Sequence, residues 1–361
     1  MTEPWKTTNE ILLKNAPTKE VTFGWDKESS TFKLASKTID VSDVKDGQFI
    51  AKVIYLSNDP TQRGWMQRGA DSSRMYTAPI VEGDVIKSAG IAEVVYSKSP
   101  EFKVGDKFTG SLGWQEYKIC DKNNVFAKID ESKNVPPAAY LGPFGLNGLT
   151  AYFGLIEVGK LKKGQTVVIS AASGATGSLC VQIAKHIIGA SKVIGLTSSD
   201  EKCKWVKSLG ADECFNSADE DYKKKLTDVL GEDYVDVYFD NVGGQILSFM
   251  LTKVKQFGHV VACGSISGYN DGEKLVVHNW GQIITNRLTV RGFIVMDFSE
   301  KFPEALGVLT RATLEKKISI SGGVSVLDVS KSNSPLKEVP EIWGQLFNGK
   351  KPHGKLITKI A

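Results

Sequence analysis

Apolar and polar residues alternate with a period of two in short runs through most of the first 135 positions, and Gly, Asp, Asn or Pro closes each run. The stretches 48–57 and 91–96 are the clearest examples, and 104–108 and 112–119 continue the pattern. Such alternation predicts half-buried strands, so this part of the chain is expected to be mostly β. After Gly142 the rhythm changes. A short apolar run at 167–170 is followed by Leu179, Ile183 and Ile187 at the four-residue spacing of a helix, then by a second apolar run at 193–197. A helical stretch at 202–209 and strands at 235–239 and 259–264 follow. Alternation of strand and helix predicts βαβ units and a parallel sheet covered on both faces. Near the C-terminus, 354–360 again reads as a strand, which suggests that the chain returns to the first domain after about residue 312. The expected fold is α/β: a β-rich domain from 1–140 and 312–361, and a doubly wound Rossmann nucleotide-binding domain from 141–311.

Chemistry enters at the turn after the first strand of that second domain. Ala172-Ser173-Gly174-Ala175-Thr176-Gly177 departs from G-x-G-x-x-G only in its first position, and it stands between a predicted strand and a predicted helix. Small residues let a backbone approach a pyrophosphate, and the helix N-terminus presents N–H groups and partial positive charge to it. A site for the 2′-hydroxyl of NAD usually carries Asp or Glu about 20 residues further on, at the end of the second strand. Here that place holds Thr197, Ser198 and Ser199, with Lys202 just beyond. Hydroxyls and a lysine suit a 2′-phosphate, which an acid would repel, so the pattern favours NADPH. Asp200 and Glu201 are first-turn helix acids with a solvent-facing role available to them.

Composition narrows the remaining classes. The 361 residues suggest two domains; 41% are hydrophobic and 24% charged, as in an ordinary globular protein. A net charge of +4, with both signs interspersed, implies neither a nucleic-acid nor a membrane surface and leaves a small molecule as the expected partner. No apolar run is long enough to span a bilayer, and the polar opening leads into no signal-type segment, so a cytoplasmic address is expected. The five cysteines, at 120, 180, 203, 214 and 263, never form C-x-x-C and are expected to be free thiols. The four histidines, at 186, 259, 278 and 353, show no ligand spacing, so no metal site is expected.

Several segments together resemble the leukotriene B4 12-hydroxydehydrogenase and prostaglandin reductase group, with the plant and yeast double-bond reductases. They are Asn58-Asp59-Pro60 with Arg63, the stretch 148–155, the glycine motif, 199–202, 239–244 and 263–270. Their order along nearly the whole chain is the family's order. The resemblance implies a GroES-like β-rich catalytic domain beside the Rossmann domain, NADPH as cofactor, an unsaturated carbonyl substrate, no zinc and a homodimer. By matching position it implies that Gly174, Ala175, Thr176 and Gly177 meet the pyrophosphate and that Lys202 meets the 2′-phosphate. Asn241 and Cys263 would lie near the cofactor, and Tyr269 would reach the cofactor or the substrate carbonyl. Thr150, Ser198 and Gly264 complete the expected binding set. Three departures stand out: Thr61 where relatives carry Tyr, Ser217 where they often carry Tyr, and Pro352-His353 in place of the start of Asn-x-Gly-Lys.

Zinc alcohol dehydrogenases share the architecture, but their early Cys and Gly-His-Glu are absent: no cysteine precedes Cys120, and Glu82-Gly83-Asp84-Val85 stands where Gly-His-Glu would fall. The expected chemistry is therefore conjugate reduction, in which hydride reaches the β-carbon and negative charge develops on the carbonyl oxygen. Tyr269 is the candidate catalytic residue, a phenol with a reference pKa of about 10 that can donate to that oxygen or deliver the proton. Asp59 and Arg63 read either as a structural pair or as substrate contacts, and Trp65, Met66 and Met75 either as pocket or as core. A quinone reductase, a carbonyl reductase and a non-catalytic NADPH-binding or sensing protein are the competing readings.

Overall fold

The computed structural model describes residues 5–133, 135–320 and 323–361, and its contacts divide into two units. The first comprises Met1–Leu141, Ser325–Pro352 and Leu356–Ala361; the second comprises Gly142–Val324 and His353–Lys355.

The first unit is built from antiparallel strands. Strands β1 (Thr7–Leu13) and β2 (Phe32–Thr38) form a hairpin-like ladder, with Ile11 opposite Leu34. Strands β3 (Phe49–Ser57), β4 (Ala89–Ser97), β5 (Lys107–Ser111), β6 (Tyr117–Cys120) and β7 (Val125–Lys128) follow. The expected strand at 112–119 is shorter than the alternation suggests: only its end forms a ladder, as β6 against β3, with one isolated antiparallel bridge from Gln115 to Glu10, while Leu112 and Trp114 are buried in chain outside any strand. Burial of apolar side chains from both elements and loops satisfies the pattern without a ladder.

Trp343, on the helix Pro335–Gly344, sits at the centre of this unit. Its ring meets Phe32 at 6.2 Å and 86° and Trp114 at 6.0 Å and 69°, the edge-to-face geometry that aromatic quadrupoles favour. Its Nε1 donates to the backbone carbonyl of Asp59 at 3.0 Å, which anchors the Asn58-Asp59-Pro60 segment. Met66 is fully buried in the same core and Trp65 packs against it. The Arg63 guanidinium is buried and donates to the carbonyl of Lys19 at 2.6 Å. Thr61 shares a 2.5 Å hydrogen bond with the Tyr76 hydroxyl, to which Trp65 Nε1 also donates at 2.9 Å. A phenol therefore reaches position 61 from a neighbouring loop.

The second unit is a parallel sheet of β8 (Thr166–Ile169), β9 (Lys192–Thr197), β10 (Glu213–Asn216), β11 (Val235–Asp240), β12 (Val254–Ala262) and β13 (Thr289–Gly292). The spatial order is β10-β9-β8-β11-β12-β13, which is the doubly wound Rossmann order with β8 as first strand. Central β11 is buried along its whole length, as a strand covered on both faces must be. The helix after β8 runs Ala175–Gln182 and then widens into a π-helical turn at Ile183–Ile188, ended by Gly189 at φ +79°.

The boundary expected at 312 falls inside the helix Phe302–Leu314, and the second unit extends to Val324. Its reason is packing, because Leu309, Ala312 and Ile318 are buried in the second unit's core. Strands β14 (Val324–Asp328) and β15 (Lys355–Lys359) then join the larger antiparallel sheet, in the order β14-β15-β3-β4-β5-β7.

Trp343→Ala is expected to cost about 3–5 kcal/mol, combining lost burial with a cavity. Calorimetric unfolding should show the first unit's transition lowered and the second unit's unchanged; an unshifted first transition would refute the central role given to this ring.

Candidate functional site

All the residues singled out as cofactor-binding or catalytic lie in the second unit, and most follow the C-terminal ends of its parallel strands. Ser170 succeeds β8, Ser198 succeeds β9, Asn241 succeeds β11 and Cys263 succeeds β12. In an open α/β sheet the strand order reverses about the first strand, and the crevice at that reversal accepts ligands. Here the reversal lies between β8 and β11. Hydrogen bonds stitch it: Ser170 N–H donates to Phe239 O at 3.0 Å, and Asn241 Nδ2 donates to Ser170 O at 2.7 Å.

The glycine motif occupies the turn out of β8. Ala171 adopts φ +46°, an uncommon left-handed conformation for a residue with a Cβ, and Gly174 N–H closes back on its carbonyl at 2.8 Å. A Cβ on Gly177 would collide with that same carbonyl, so only glycine permits the helix to start this close to the strand. The helix Ala175–Gln182 begins with Gly174 as N-cap, and no side chain caps it. Its first-turn N–H groups are thus left to solvent or to a ligand, with the positive end of the helix dipole behind them. That arrangement fits a pyrophosphate. Asn147, on the preceding helix Leu146–Phe153, donates to Thr176 Oγ1 at 3.3 Å and fixes the side of this turn. Thr150 is on the same helix, but its hydroxyl donates to its own helix at Leu146 O, 2.7 Å away.

At the end of β9, Ser199 caps the helix Asp200–Ser208 by accepting from Lys202 N–H at 3.3 Å. Lys202 Nζ lies 3.4 Å from Ser198 Oγ, so the ammonium and the exposed hydroxyl stand together beyond the strand end. Asp200 and Glu201 are exposed. Ser217 donates through its hydroxyl to Thr197 O at 2.8 Å and through its N–H to the same oxygen at 2.7 Å, which holds the β9 end in place. This cluster fits a phosphate monoester: a cation, a hydroxyl and a helix N-terminus converge without an acid at the strand end.

On the other side of the crevice, Asp240 is buried and accepts from four directions. Tyr238 Oη donates at 2.8 Å, Val242 N–H at 3.0 Å, Gly243 N–H at 3.0 Å and Ser170 Oγ at 3.2 Å. Burial raises its pKa, while those backbone and side-chain donors act in the opposite sense. The Asp240 carbonyl accepts from the N–H groups of Cys263 at 2.9 Å and Gly264 at 3.1 Å, so one residue sets the positions of both loops. Asn241, Cys263 and Gly264 are thereby brought together. Tyr269 folds back over the same loop, and its Oη accepts from Ser265 N–H at 3.4 Å.

Sequence reasoning did not single out Asn147, Ser170 or Asp240. Asp240 stood within a quoted segment, but nothing in the letters distinguishes a buried multiple acceptor from a surface aspartate. Among the described residues, no group of three or more His, Cys, Asp and Glu is placed to hold a metal. His186 Nε2 pairs with Leu209 O at 3.0 Å, and His353 stacks on Trp205. No described helix is long and apolar enough to cross a membrane.

Comparison with known proteins adds the family. Residues 10–128 match the model described as "N-terminal domain of oxidoreductase" and residues 175–311 match "Zinc-binding dehydrogenase". The chain is 35% identical to a 2-alkenal reductase (NADP(+)-dependent) of Nicotiana tabacum, covering 98% of this chain and 97% of the relative. It is 34% identical to an uncharacterized membrane protein of Saccharomyces cerevisiae, covering 97% of each. Among solved structures, CurA from Vibrio vulnificus in complex with NADPH superposes with a TM-score of 0.84 at 29% identity, over 98% of this chain and 99% of that one.

The Cys263 thiol is pushed up to about 12, chiefly by burial and next by the Asp240 carboxylate, which makes it a neutral packing group. At pH 8 only about one part in ten thousand is thiolate at such a value, so iodoacetamide should label Cys263 in the native chain far more slowly than the same thiol in the denatured chain. The rate should rise about tenfold per pH unit up to that value. Rapid labelling at pH 8, read by peptide mass spectrometry, would contradict this.

Proposed function

We propose, from the fact that this chain belongs to the zinc-free medium-chain dehydrogenase/reductases of the double-bond reductase group, that it reduces the carbon–carbon double bond of α,β-unsaturated aldehydes or ketones. It is an NADP-dependent oxidoreductase with a GroES-like and a Rossmann domain, and NADPH is its cofactor. NADPH, when bound, supplies the hydride. The observation that carries the cofactor reading is the Ser198 and Lys202 cluster beyond β9, where the 2′-hydroxyl of NAD would call for an acid. The first turn of the helix Ala175–Gln182 would hold the pyrophosphate. Asn241, held by Ser170, would orient the nicotinamide half alongside the Cys263-Gly264 turn.

Tyr269 is the residue assigned to the reacting carbonyl. Its phenol, seated against Ser265, would donate a hydrogen bond to the oxygen on which charge gathers as the β-carbon accepts hydride, and the α-carbon is then protonated by the phenol or by water. Removing one such donor typically costs a hundredfold or more in turnover, about 2.7–4 kcal/mol. The tobacco relative's name as a 2-alkenal reductase supports the substrate class. The β-rich first unit would supply the catalytic domain, and a cytoplasmic location belongs to the same reading.

Purified chain should consume NADPH with enals and enones and yield saturated carbonyl products by mass spectrometry. Lys202→Ala should raise the NADPH KM about tenfold with little change in kcat, whereas Tyr269→Phe should lower kcat about a hundredfold. Preferential turnover of quinones, or alcohol products from the carbonyl itself, would sink the assignment; tight NADPH binding without turnover would move it to a sensing role.

A homodimer is part of the proposal. Strand β13 ends the order of the parallel sheet and is exposed throughout, and in the chain before it Val276, Trp280 and Ile284 are 53%, 62% and 72% exposed. An unpaired edge flanked by apolar side chains is a template for association, and a two-fold axis satisfies both copies at once. Light scattering should give twice the chain mass, and Ile284→Asp should reduce it to one; a monomeric wild type refutes the dimer.

A further inference from the structure

We propose that His353 and Trp205 are positioning residues that set the spacing between the two phosphate sites of NADPH, an inference that rests on the cofactor reading above. The chain joins the second unit for only three residues near its C-terminus, His353–Lys355. Within them, Gly354 is buried at φ +74°, donates its N–H to Ser173 O at 2.8 Å and forms a parallel bridge with Gly174. A rung of this segment is therefore clamped onto the glycine motif. The adjacent residue, His353, stacks its ring on Trp205 with centroids 4.3 Å apart and planes 29° from parallel. Trp205 belongs to the helix Asp200–Ser208, three positions beyond Lys202 and on its face.

Two consecutive residues thus grip two different elements. Gly354 holds the loop whose following N–H groups fit a pyrophosphate, and His353 holds the helix whose first turn, with Ser198, fits a 2′-phosphate. One peptide unit fixes the separation of the grips, because Cα atoms across a trans peptide stand about 3.8 Å apart. The β8–β9 ladder ties the two strand ends, so releasing one grip leaves the loop and the helix beyond those ends freer to shift relative to each other. A ligand that bridges both sites must then restore their spacing at its own cost, whereas a ligand occupying one site is indifferent.

The test is calorimetric titration of the full chain with three probes: NADPH, adenosine 2′,5′-bisphosphate and 2′-AMP. His353→Ala and Trp205→Ala should each raise Kd for NADPH and the bisphosphate by about threefold to tenfold, the range an aromatic pair supports, and change 2′-AMP by less than twofold. His353→Phe, which keeps the stack, should recover most of the affinity lost in His353→Ala. Unchanged NADPH affinity in His353→Ala, equal weakening of all three probes, or failure of His353→Phe to restore affinity would each overturn the inference. A wild type that binds neither NADPH nor the bisphosphate would overturn the cofactor reading instead. His353 is partly exposed, so its variants report even if Trp205→Ala does not fold.

Discussion

Where β8 ends, the backbone turns through Ala171 in the left-handed region and returns so closely that any side chain on Gly177 would strike the Ala171 carbonyl. The rest of the second unit is arranged around this approach. It places the positive end of the helix Ala175–Gln182 at the strand end, leaves that helix without a side-chain cap, and presents Ser173 O to Gly354. Residue Ala171 carries backbone strain of order 1–3 kcal/mol for this geometry, and the surrounding ladder, with Ala172 N–H on Leu196 O at 2.9 Å, sustains it. Strain retained at such a place is characteristic of loops that must present backbone donors to a ligand.

The second half of the crevice is organised by a buried carboxylate. Asp240 is costly to hold out of water, and it is tolerated because Tyr238, Ser170, Val242 and Gly243 surround it with donors. Its own carbonyl then fixes Cys263 and Gly264. Ser170 belongs to both halves: its carbonyl receives the Asn241 amide, while its hydroxyl donates to Asp240 and accepts from the Asn241 N–H at 2.9 Å. Positions 170 and 241 are far apart in sequence but form one element of the site.

The doubly wound sheet was legible because its signals are local. The runs at 167–170, 193–197 and 235–239 are each buried strand interiors, and the glycine motif lies where a strand meets a helix, so spacing alone located β8, β9 and the turn between β8 and its helix. The alternation at 112–119 misled for a physical reason, since Leu112 and Trp114 are buried as in a strand but their backbone follows no ladder. The domain boundary was read too early because the helix Phe302–Leu314 gives no local sign of the core it joins; Ala312 and Ile318 reveal their allegiance only through packing. The four-way role of Asp240 and the seat of His353 on Trp205 were invisible for the same reason: both depend on partners brought together by the fold.

The proposed 2′-phosphate site turns on how three adjacent residues diverge on one helical turn. Asp200, Glu201 and Lys202 follow one another, and their charges taken as a sum would disfavour a phosphate. Successive residues on an α-helix point about 100° apart, so a net count is the wrong measure. Asp200 and Glu201 are exposed, where solvent screens them, while Lys202 leans toward Ser198 beyond the strand end. Ser199, as the N-cap, accepts from the Lys202 N–H and so fixes the turn from which that lysine projects. On the proposed reading, selectivity for a 2′-phosphate rests on rotation about a helix axis: the two acids would meet the helix dipole from the solvent side, and the lysine would keep the side toward Ser198.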